Sequence, residues 1–208
     1  MTAIKFILVA LAGYLLGSIN FSIWLSRMLG KDIRASGSGN AGATNMARTF
    51  GWGPGVLTLL GDMIKAALAM LIGYMMLGGG LRDPGRLGDW GLMVGGISVL
   101  LGHCFPFMHD FRGGKGVAVG GIISLMVDWR VGCAVFGAFL VFALLSKKVS
   151  LGSICGALAI TVAALLVHVS TPRLLLSVIA MCIVIYQHRE NIKRLLPGTE
   201  PDFRAKTK

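Results

Sequence analysis

The sequence is poor in charged residues, and few of those it has are acidic. Asp, Glu, Lys and Arg make up 14% of the 208 residues, against about 25% in an average soluble domain. Only nine residues are Asp or Glu, and they are scattered along the chain, so a site built from clustered carboxylates is poorly supported. A hydrophobic content of 55% and a mean hydropathy of +0.76 point to an integral membrane protein instead.

Several motifs of soluble enzymes are also absent. The sequence contains no HExxH and no GxSxG, which disfavours a zinc protease or a serine hydrolase. The four cysteines stand singly in apolar stretches, without the spacing of metal ligands. The glycines around Lys115 do not form a Walker A loop, because His109 replaces its first glycine and Gly116 its final Ser or Thr. We therefore predict no metal and no nucleotide cofactor.

Long hydrophobic runs recur from one end of the chain to the other. The first is too long for a cleavable signal peptide. Because a span needs ~20 apolar residues, we predict seven transmembrane helices, the fourth and fifth of them short. They cover about residues 3–28, 54–79, 90–108, 115–128, 131–146, 151–169 and 173–187. A single helix over 117–146 would place the charges of DWR at 128–130 inside the membrane, so a turn there is favoured.

Basic residues are distributed unevenly between the two sides that these spans define. Fourteen of the 20 Lys and Arg fall on one side, and Lys65 lies within the second span. The other side receives Lys5, Arg82, Arg86, Arg130 and Arg173. Since basic loops remain in the cytoplasm, we predict an N-terminus outside, a cytoplasmic C-terminus, and one domain over 1–208 with a basic tail from about residue 188. This topology, with anionic lipid, explains the net charge of +11 without nucleic acid.

Three polar, glycine-rich segments fall on the predicted cytoplasmic side. The first is GSGNAGATNMAR at 37–48, in which glycines allow a ligand to approach the backbone. Ser38, Thr44 and Asn45 offer hydrogen bonds, and Arg48 can bind an anion through two N–H groups. A flexible turn is the alternative explanation, since Gly, Ser and Asn are ordinary loop residues.

The second segment is GHCFPFMHDFRGGKGV at 102–117, which leads into the predicted fourth helix. Its glycines are predicted to expose consecutive N–H groups at a helix N-terminus, where anions bind, and Lys115 adds a positive charge. A glycine hinge with a lysine that extends to the membrane surface would give the same pattern. His103 is either a neighbour of the site or a packing residue.

The third segment is HRENIKRLLPGTE at 188–200, after the last span. His188 lies at the membrane exit and shares a helix face with Asn191, so both are site candidates. The basic residues beside them are interpreted as membrane anchors. Ser150 and Ser153, at the start of the sixth span, are further candidates whose ordinary explanation is an N-cap.

Two charged residues stand three positions apart inside the second predicted span, Asp62 and Lys65. Charges within a membrane are costly and are usually paired. They form either a structural ion pair that holds the first loop or a support for the site.

Together, GSGNAGATN, GHCFPFMHDFRGGKGVA and HRENIKRLLPGTE resemble, in order and spacing, the three signature segments of the bacterial acyl-phosphate-dependent glycerol-3-phosphate acyltransferases (the PlsY family). The resemblance extends from about residue 10 to residue 203. Met108 stands where an aromatic residue is usual, and Val119 where threonine is common. Neither departure removes an expected phosphate contact, although each could alter the packing of the pocket or the acyl preference.

The resemblance implies a multi-pass enzyme of the bacterial cytoplasmic (inner) membrane, with its active site facing the cytoplasm. The family transfers a fatty acyl group to the 1-hydroxyl of sn-glycerol 3-phosphate and produces lysophosphatidate, the first step of phospholipid biosynthesis. The donor is an acyl phosphate made by a separate soluble synthase. No metal or other cofactor is implied, and the acyl tail lies in membrane lipid.

Residue roles are implied by the same match. The glycine-rich segments would hold the acyl phosphate, with Gly39, Asn40, Gly42, Thr44, Asn45, Gly113, Gly114 and Gly116 as candidates. Glycerol 3-phosphate would be bound by Arg48, Lys115, His188 and Asn191. The polar floor would be completed by Ser38 and by Ser150 or Ser153, with His103 beside it. The candidate catalytic residues are Ser38, Lys115, Ser150 and His188.

The implied reaction is attack of a substrate hydroxyl on a mixed anhydride, for which no enzyme nucleophile is needed because phosphate leaves readily. His188 is expected to orient the substrate while a substrate phosphate oxygen takes the proton, and a base role for His188 is the alternative. The main alternative function is a membrane transporter of a phosphorylated solute. The predicted outer loops lack the matching polar site that alternating access would require.

Overall fold

The computed structural model describes residues 2–78 and 86–202. Within these ranges the regular structure is helical, and there is no strand. The chain divides after Val119 into two units. The prediction of an all-α protein is confirmed over these ranges, and the single-domain assignment stays a prediction. Outside the described residues lie the end of the second predicted span, Arg82 of the outer loop, and Arg204, Lys206 and Lys208 of the basic tail.

Five α-helices lie wholly within the described part of the first unit. They are α1 (Thr2–Ser18), α2 (Phe21–Met28), α3 (Ala43–Phe50), α4 (Trp52–Met76) and α5 (Arg86–Cys104). Short 3-10 turns cover Ile33–Ala35 and Phe107–His109. Helices α1, α4 and α5 pack on one another, and the shorter α2 and α3 pack on α4.

Small residues allow the helices of this unit to approach closely. Gly73 of α4 faces Gly91 of α5, and a Cβ atom on either one would overlap the backbone carbonyl of the other. Close packing through small residues is typical of membrane helices, which lie in a solvent as apolar as their own side chains.

The first predicted span, 3–28, is not one continuous helix. It breaks after Ser18, and Asn20 caps α2 by accepting a hydrogen bond from the N–H of Ile23 at 3.2 Å. A helix end leaves carbonyl groups without intrahelical partners. Lys65 of α4 donates hydrogen bonds at this break, from its Nζ to the carbonyl of Gly17 at 3.0 Å and to that of Ile19 at 2.7 Å.

The remaining described helices are α6 (Val117–Val127), α7 (Trp129–Ser146), α8 (Val149–Leu166), α9 (Thr171–Gln187) and α10 (Arg189–Leu195). The division between the two units falls within α6. In the second unit α8 packs on α7 and α9. The predicted turn at DWR is present, because α6 ends at Val127 and Asp128 caps α7 by accepting from the N–H of Arg130 at 2.8 Å. The alternative of one merged helix is therefore wrong.

The described residues contain five helices, or helix pairs, that are long and apolar enough to cross a membrane, and six if α9 and α10 form one span bent by 60°. The short helix α6 has 11 residues, which at 1.5 Å per residue is about 16 Å, roughly half of a bilayer's hydrocarbon core. A multi-span helical protein is confirmed. The count of seven spans and the orientation stay predictions.

Candidate active site

The first glycine-rich segment is wrapped around the side chain of Asn45. This side chain is 1% exposed, and its Oδ1 accepts a hydrogen bond from the N–H of Ser38 at 3.0 Å. Its Nδ2 lies within hydrogen-bonding distance of three carbonyl oxygens: Ile33 at 3.2 Å, Ser36 at 2.9 Å and Asn40 at 3.1 Å. Asn45 therefore organises the loop, and its predicted contact with substrate stays a prediction.

Around this centre, the segment presents several predicted ligands at its surface. Gly37 and Gly39 have φ values of +57° and +70°, in the left-handed region that favours glycine. Ser38, Gly39 and Thr44 are exposed, while Asn40 and Gly42 are half-buried. The second half of the segment, which sequence reasoning treated as loop, is helical because α3 begins at Ala43.

Arg48 lies in the last turn of α3 and is half-buried. Within residues 2–78 and 86–202, its buried Nε has no hydrogen-bond partner. Such an unsatisfied donor is rare in a folded protein and is costly to leave without an acceptor. This arrangement favours Arg48 as the ligand of an anion.

Sequence reasoning missed Arg34, which connects the turn before the first segment to the second segment. Its Nη2 bonds Asp32 Oδ2 at 2.9 Å, and its Nη1 donates to the carbonyl of His109 at 3.1 Å. The hydrogen bond from Arg34 holds the pKa of Asp32 well below its usual range. The only sequence signal for this role of Arg34 was its position two residues after an acidic residue, Asp32.

The second segment folds back onto the end of α5. The N–H of Gly113 donates to the carbonyl of Cys104 and that of Gly114 to the carbonyl of His103, both at 3.1 Å. A Cβ atom at Gly114 would overlap the imidazole Nε2 of His103. The prediction that consecutive glycine N–H groups are exposed is therefore wrong for these two residues, whose contact with acyl phosphate stays a prediction. Gly116 is buried, with φ +78°, and Lys115 is half-buried just before α6.

Behind this loop, Asp62 and Lys65 form the ion pair that their spacing suggested. Nζ lies 2.8 Å from Asp62 Oδ1, and 3.2 Å from Nδ1 of His103. Asp62, Lys65 and His103 are 1%, 4% and 3% exposed. The predicted contact of His103 with substrate stays a prediction.

In the second unit, polar residues gather around a carboxylate that sequence reasoning missed, Glu200. Its Oε1 accepts from Asn191 Nδ2 at 2.6 Å, its Oε2 from Arg194 Nε at 2.7 Å, and its backbone carbonyl from Lys148 Nζ at 2.6 Å. Burial favours the neutral acid, but the hydrogen bonds from Asn191 and Arg194 oppose it, and the pKa of Glu200 is lowered. The only signal in the sequence was an acid near the end of a basic segment.

His188 caps α9 and is 2% exposed. Its Nδ1 lies 2.8 Å from the carbonyl of Val184, which can only accept, so Nδ1 carries a proton. In the neutral ring the lone pair is then on Nε2, and any acceptor or base role falls to that atom.

The two candidate serines of α8 are both buried, Ser150 at 7% and Ser153 at 4% exposure. Neither is an N-cap, because Lys148 holds that position, so the ordinary explanation for them is wrong. Ser153 donates to the carbonyl of Val149 at 2.9 Å, within its own helix.

Among the described residues, His, Cys, Asp and Glu form no group of three that could hold a metal ion.

Comparison with known proteins gives one consistent result. A family profile described as glycerol-3-phosphate acyltransferase matches residues 7–198. The chain is 42% identical over 205 residues to a protein of that name from Syntrophotalea carbinolica, covering 97% of this chain and 99% of the relative. It is 38% identical over 207 residues to one from Nostoc sp., covering 95% and 92%.

Two solved structures are similar over nearly the whole length. One is PlsY (YgiH), an integral membrane glycerol 3-phosphate acyltransferase, in its glycerol 3-phosphate form, with a TM-score of 0.86 and 33% identity over 95% of this chain and 94% of that one. The other is a lysophosphatidic acid form of PlsY, with a TM-score of 0.84 and 32% identity over the same shares.

Proposed function

Since the chain belongs to the glycerol-3-phosphate acyltransferase family, we propose that it transfers a fatty acyl group from acyl phosphate to the 1-hydroxyl of sn-glycerol 3-phosphate. The products are lysophosphatidate and inorganic phosphate, at the start of phospholipid biosynthesis. The resemblance of the three signature segments to PlsY supports the choice of acyl phosphate as donor. A soluble acyl-phosphate synthase is the partner that this donor requires.

The buried Nε of Arg48 is the observation that carries the proposal, because it needs an acceptor that the described residues do not supply. A phosphate oxygen is suited to a guanidinium group, which binds it through charged hydrogen bonds. Arg48 then binds the phosphate of glycerol 3-phosphate, and Lys115 contributes a second positive charge. By the resemblance of the signature segments, His188 and Asn191 are further proposed ligands of glycerol 3-phosphate.

The surface of the first segment is proposed to bind the acyl-phosphate head. Ser38, Gly39 and Thr44 are exposed there, and Asn40 and Gly42 are partly so. Asn45 acts by holding the loop that carries them. Ser150, which is buried in α8, is a further proposed catalytic residue.

The chemistry follows from the properties of a mixed anhydride. The 1-hydroxyl oxygen attacks the acyl carbon, a new ester C–O bond forms, and the bond from that carbon to the phosphate oxygen breaks. Phosphate leaves with the bonding electron pair, and one of its oxygens takes the hydroxyl proton. Lys115 stabilises charge that develops on the leaving group, and His188 orients the hydroxyl through Nε2. Positioning of the two substrates supplies much of the acceleration.

We propose seven spans with the N-terminus outside and the active site facing the cytoplasm of a bacterial inner membrane, with α6 as a short span. Two contacts within the second unit support the proposal that its successive helices cross the membrane in opposite directions. Arg173, at the start of α9, donates to the carbonyl of Val127, at the end of α6, at 2.6 Å. Lys148, between α7 and α8, contacts Glu200, which follows α10.

A comparison of donors tests the reaction. Purified protein is given radiolabelled glycerol 3-phosphate with palmitoyl phosphate, palmitoyl-CoA or palmitoyl carrier protein, each with and without a chelator. We expect labelled lysophosphatidate from palmitoyl phosphate alone, in equal amounts with chelator. Product from palmitoyl-CoA alone would contradict the donor, and absence of product with every donor would favour the transporter.

A further inference from the structure

Three buried titratable residues of the first unit are given no step in the proposed reaction: Asp62, Lys65 and His103. All three are less than 5% exposed. Nζ of Lys65 lies 2.8 Å from Asp62 Oδ1 and 3.2 Å from His103 Nδ1, and that ring nitrogen lies 3.5 Å from Asp62 Oδ1. Charges inside a membrane helix are costly, so residues that carry them are usually paired and serve a function.

One end of this cluster is fixed to the break between α1 and α2. Nζ of Lys65 donates to the carbonyls of Gly17 and Ile19. A positive charge beside the carbonyl end of a helix is favourable, and these carbonyls lack partners of their own helix. Gly17 packs so closely on α5 that a Cβ atom there would overlap the backbone of Val99 and crowd that of His103.

The other end of the cluster reaches the glycine loop at 113–116. His103 contacts the loop twice, because its backbone carbonyl accepts from the N–H of Gly114 and its Nε2 occupies the place that a side chain at 114 would need. The carbonyl of Ala41, from the first glycine-rich segment, borders the same place. The ring of His103 therefore stands between the ion pair and the loop that carries Lys115.

We propose that Asp62, Lys65 and His103 form a positioning network that fixes the loop at 113–116 and, through the loop, the side chain of Lys115. The ion pair holds the imidazole through Nδ1, and the opposite edge of the ring sets how closely the loop packs. The effect on catalysis rests on the proposed acyl transfer, whereas the effect on the loop does not.

Substitutions that change the network without leaving a lone buried charge test this assignment, because such a charge can unfold a protein by itself. His103→Leu removes the polar contact with Lys65. His103→Asn retains a polar atom near the position of Nδ1. Asp62→Asn with Lys65→Gln makes the pair neutral. The matched control is Asp128→Asn with Arg130→Gln, which neutralises an ion pair whose arginine is half exposed.

Each purified variant is measured in two ways. Hydrogen–deuterium exchange with mass spectrometry reports the amides of residues 105–118, and kinetics report kcat and KM for glycerol 3-phosphate at saturating palmitoyl phosphate. In His103→Leu and the neutral pair, we expect exchange in 105–118 to rise at least tenfold, with protection kept elsewhere, and kcat to fall at least tenfold. Loop exchange in His103→Asn should stay within about threefold of the wild type, and the control should match the wild type in both measurements.

Three results would overturn the assignment. The first is unchanged loop exchange in folded His103→Leu. The second is faster loop exchange with kcat within twofold of the wild type. The third is loss of protection throughout the chain in both His103 variants, since the cluster would then hold the fold and not the loop. If the wild type forms no product, the exchange result alone still decides the role in the loop, so this failure is distinct from failure of the proposed function.

Discussion

At the scale of single residues, the first segment contains one residue that holds the loop in shape, Asn45, and one that has a hydrogen-bond donor unsatisfied within the described ranges, Arg48. Asn45 has both side-chain polar atoms bonded to the backbone of its own loop. Arg48, on the same short helix, has a buried Nε without a partner among the described residues. The same stretch of sequence therefore supplies both a scaffold and a binding group.

Replacing Asn45 by Ala should destabilise the protein, because several buried backbone groups lose their partner. A net value of roughly 1 kcal/mol per hydrogen bond gives a loss of about 2–4 kcal/mol. Thermal unfolding in detergent measures this change. Thr44→Ala, at the exposed neighbour, is the control and should stay within about 0.5 kcal/mol. Equal melting temperatures for both variants would contradict the scaffold role.

Replacing Arg48 by Lys should weaken binding of glycerol 3-phosphate, because an ammonium group cannot supply the Nε–H. Charged hydrogen bonds contribute about 1.5–3 kcal/mol, so KM should rise roughly tenfold or more. Steady-state kinetics with varied glycerol 3-phosphate measure it, with Arg189→Lys as control, since that guanidinium stacks on Tyr186 at 4.5 Å. An unchanged KM in Arg48→Lys would remove Arg48 from the site.

At the scale of elements, the close approach of α4 and α5 depends on glycine at the contact. In Gly73→Ala the added methyl meets the backbone of Gly91, so stability should fall by about 1–3 kcal/mol. Gly53→Ala, in the same helix, adds a methyl into open space and should be neutral or stabilise by up to about 1 kcal/mol. Thermal unfolding compares the two. A Gly73→Ala protein as stable as Gly53→Ala would contradict the packing.

The carboxylate of Glu200 binds Asn191 and Arg194 and so holds the segment after α10 against that helix. These hydrogen bonds should make the stability of the protein depend on pH. The folded-state pKa of Glu200 is lowered from its ordinary value of 4.5, so the stabilisation is present above pH 4.5 and is lost as the pH falls through the folded-state value. Glu200→Gln should therefore melt below the wild type at pH 7, with the difference shrinking below pH 4.5. Unfolding curves from pH 3.5 to 8 measure it. A constant difference would contradict the account.

Hydropathy was sufficient to predict the long helices, and the charges of DWR were sufficient to predict the turn between α6 and α7. The break after Ser18 was not predictable in the same way, because it depends on Lys65 reaching across from α4 to the freed carbonyls. The roles of Arg34 and Glu200 were missed for the same reason, since each bonds residues of another segment. Local patterns do not contain such contacts.

At the scale of the whole molecule, topology determines which solution the polar segments face. We predict that in a chain without its native cysteines, Thr2→Cys reacts with a membrane-impermeant maleimide added to intact cells, whereas Arg112→Cys reacts only after the cells are opened. Both positions are exposed in the structure. Mass-tag labelling on gels measures this. Reaction of residue 112 from outside would contradict the proposed orientation.

The central claim is that one acyl group moves from phosphate to glycerol 3-phosphate without a stable acyl-enzyme. The most direct measurement follows released phosphate and lysophosphatidate together in one reaction with palmitoyl phosphate. The account predicts that both appear in a one-to-one ratio and that phosphate release stops when glycerol 3-phosphate is omitted. A burst of phosphate equal to the amount of enzyme, or steady release without glycerol 3-phosphate, would contradict direct transfer.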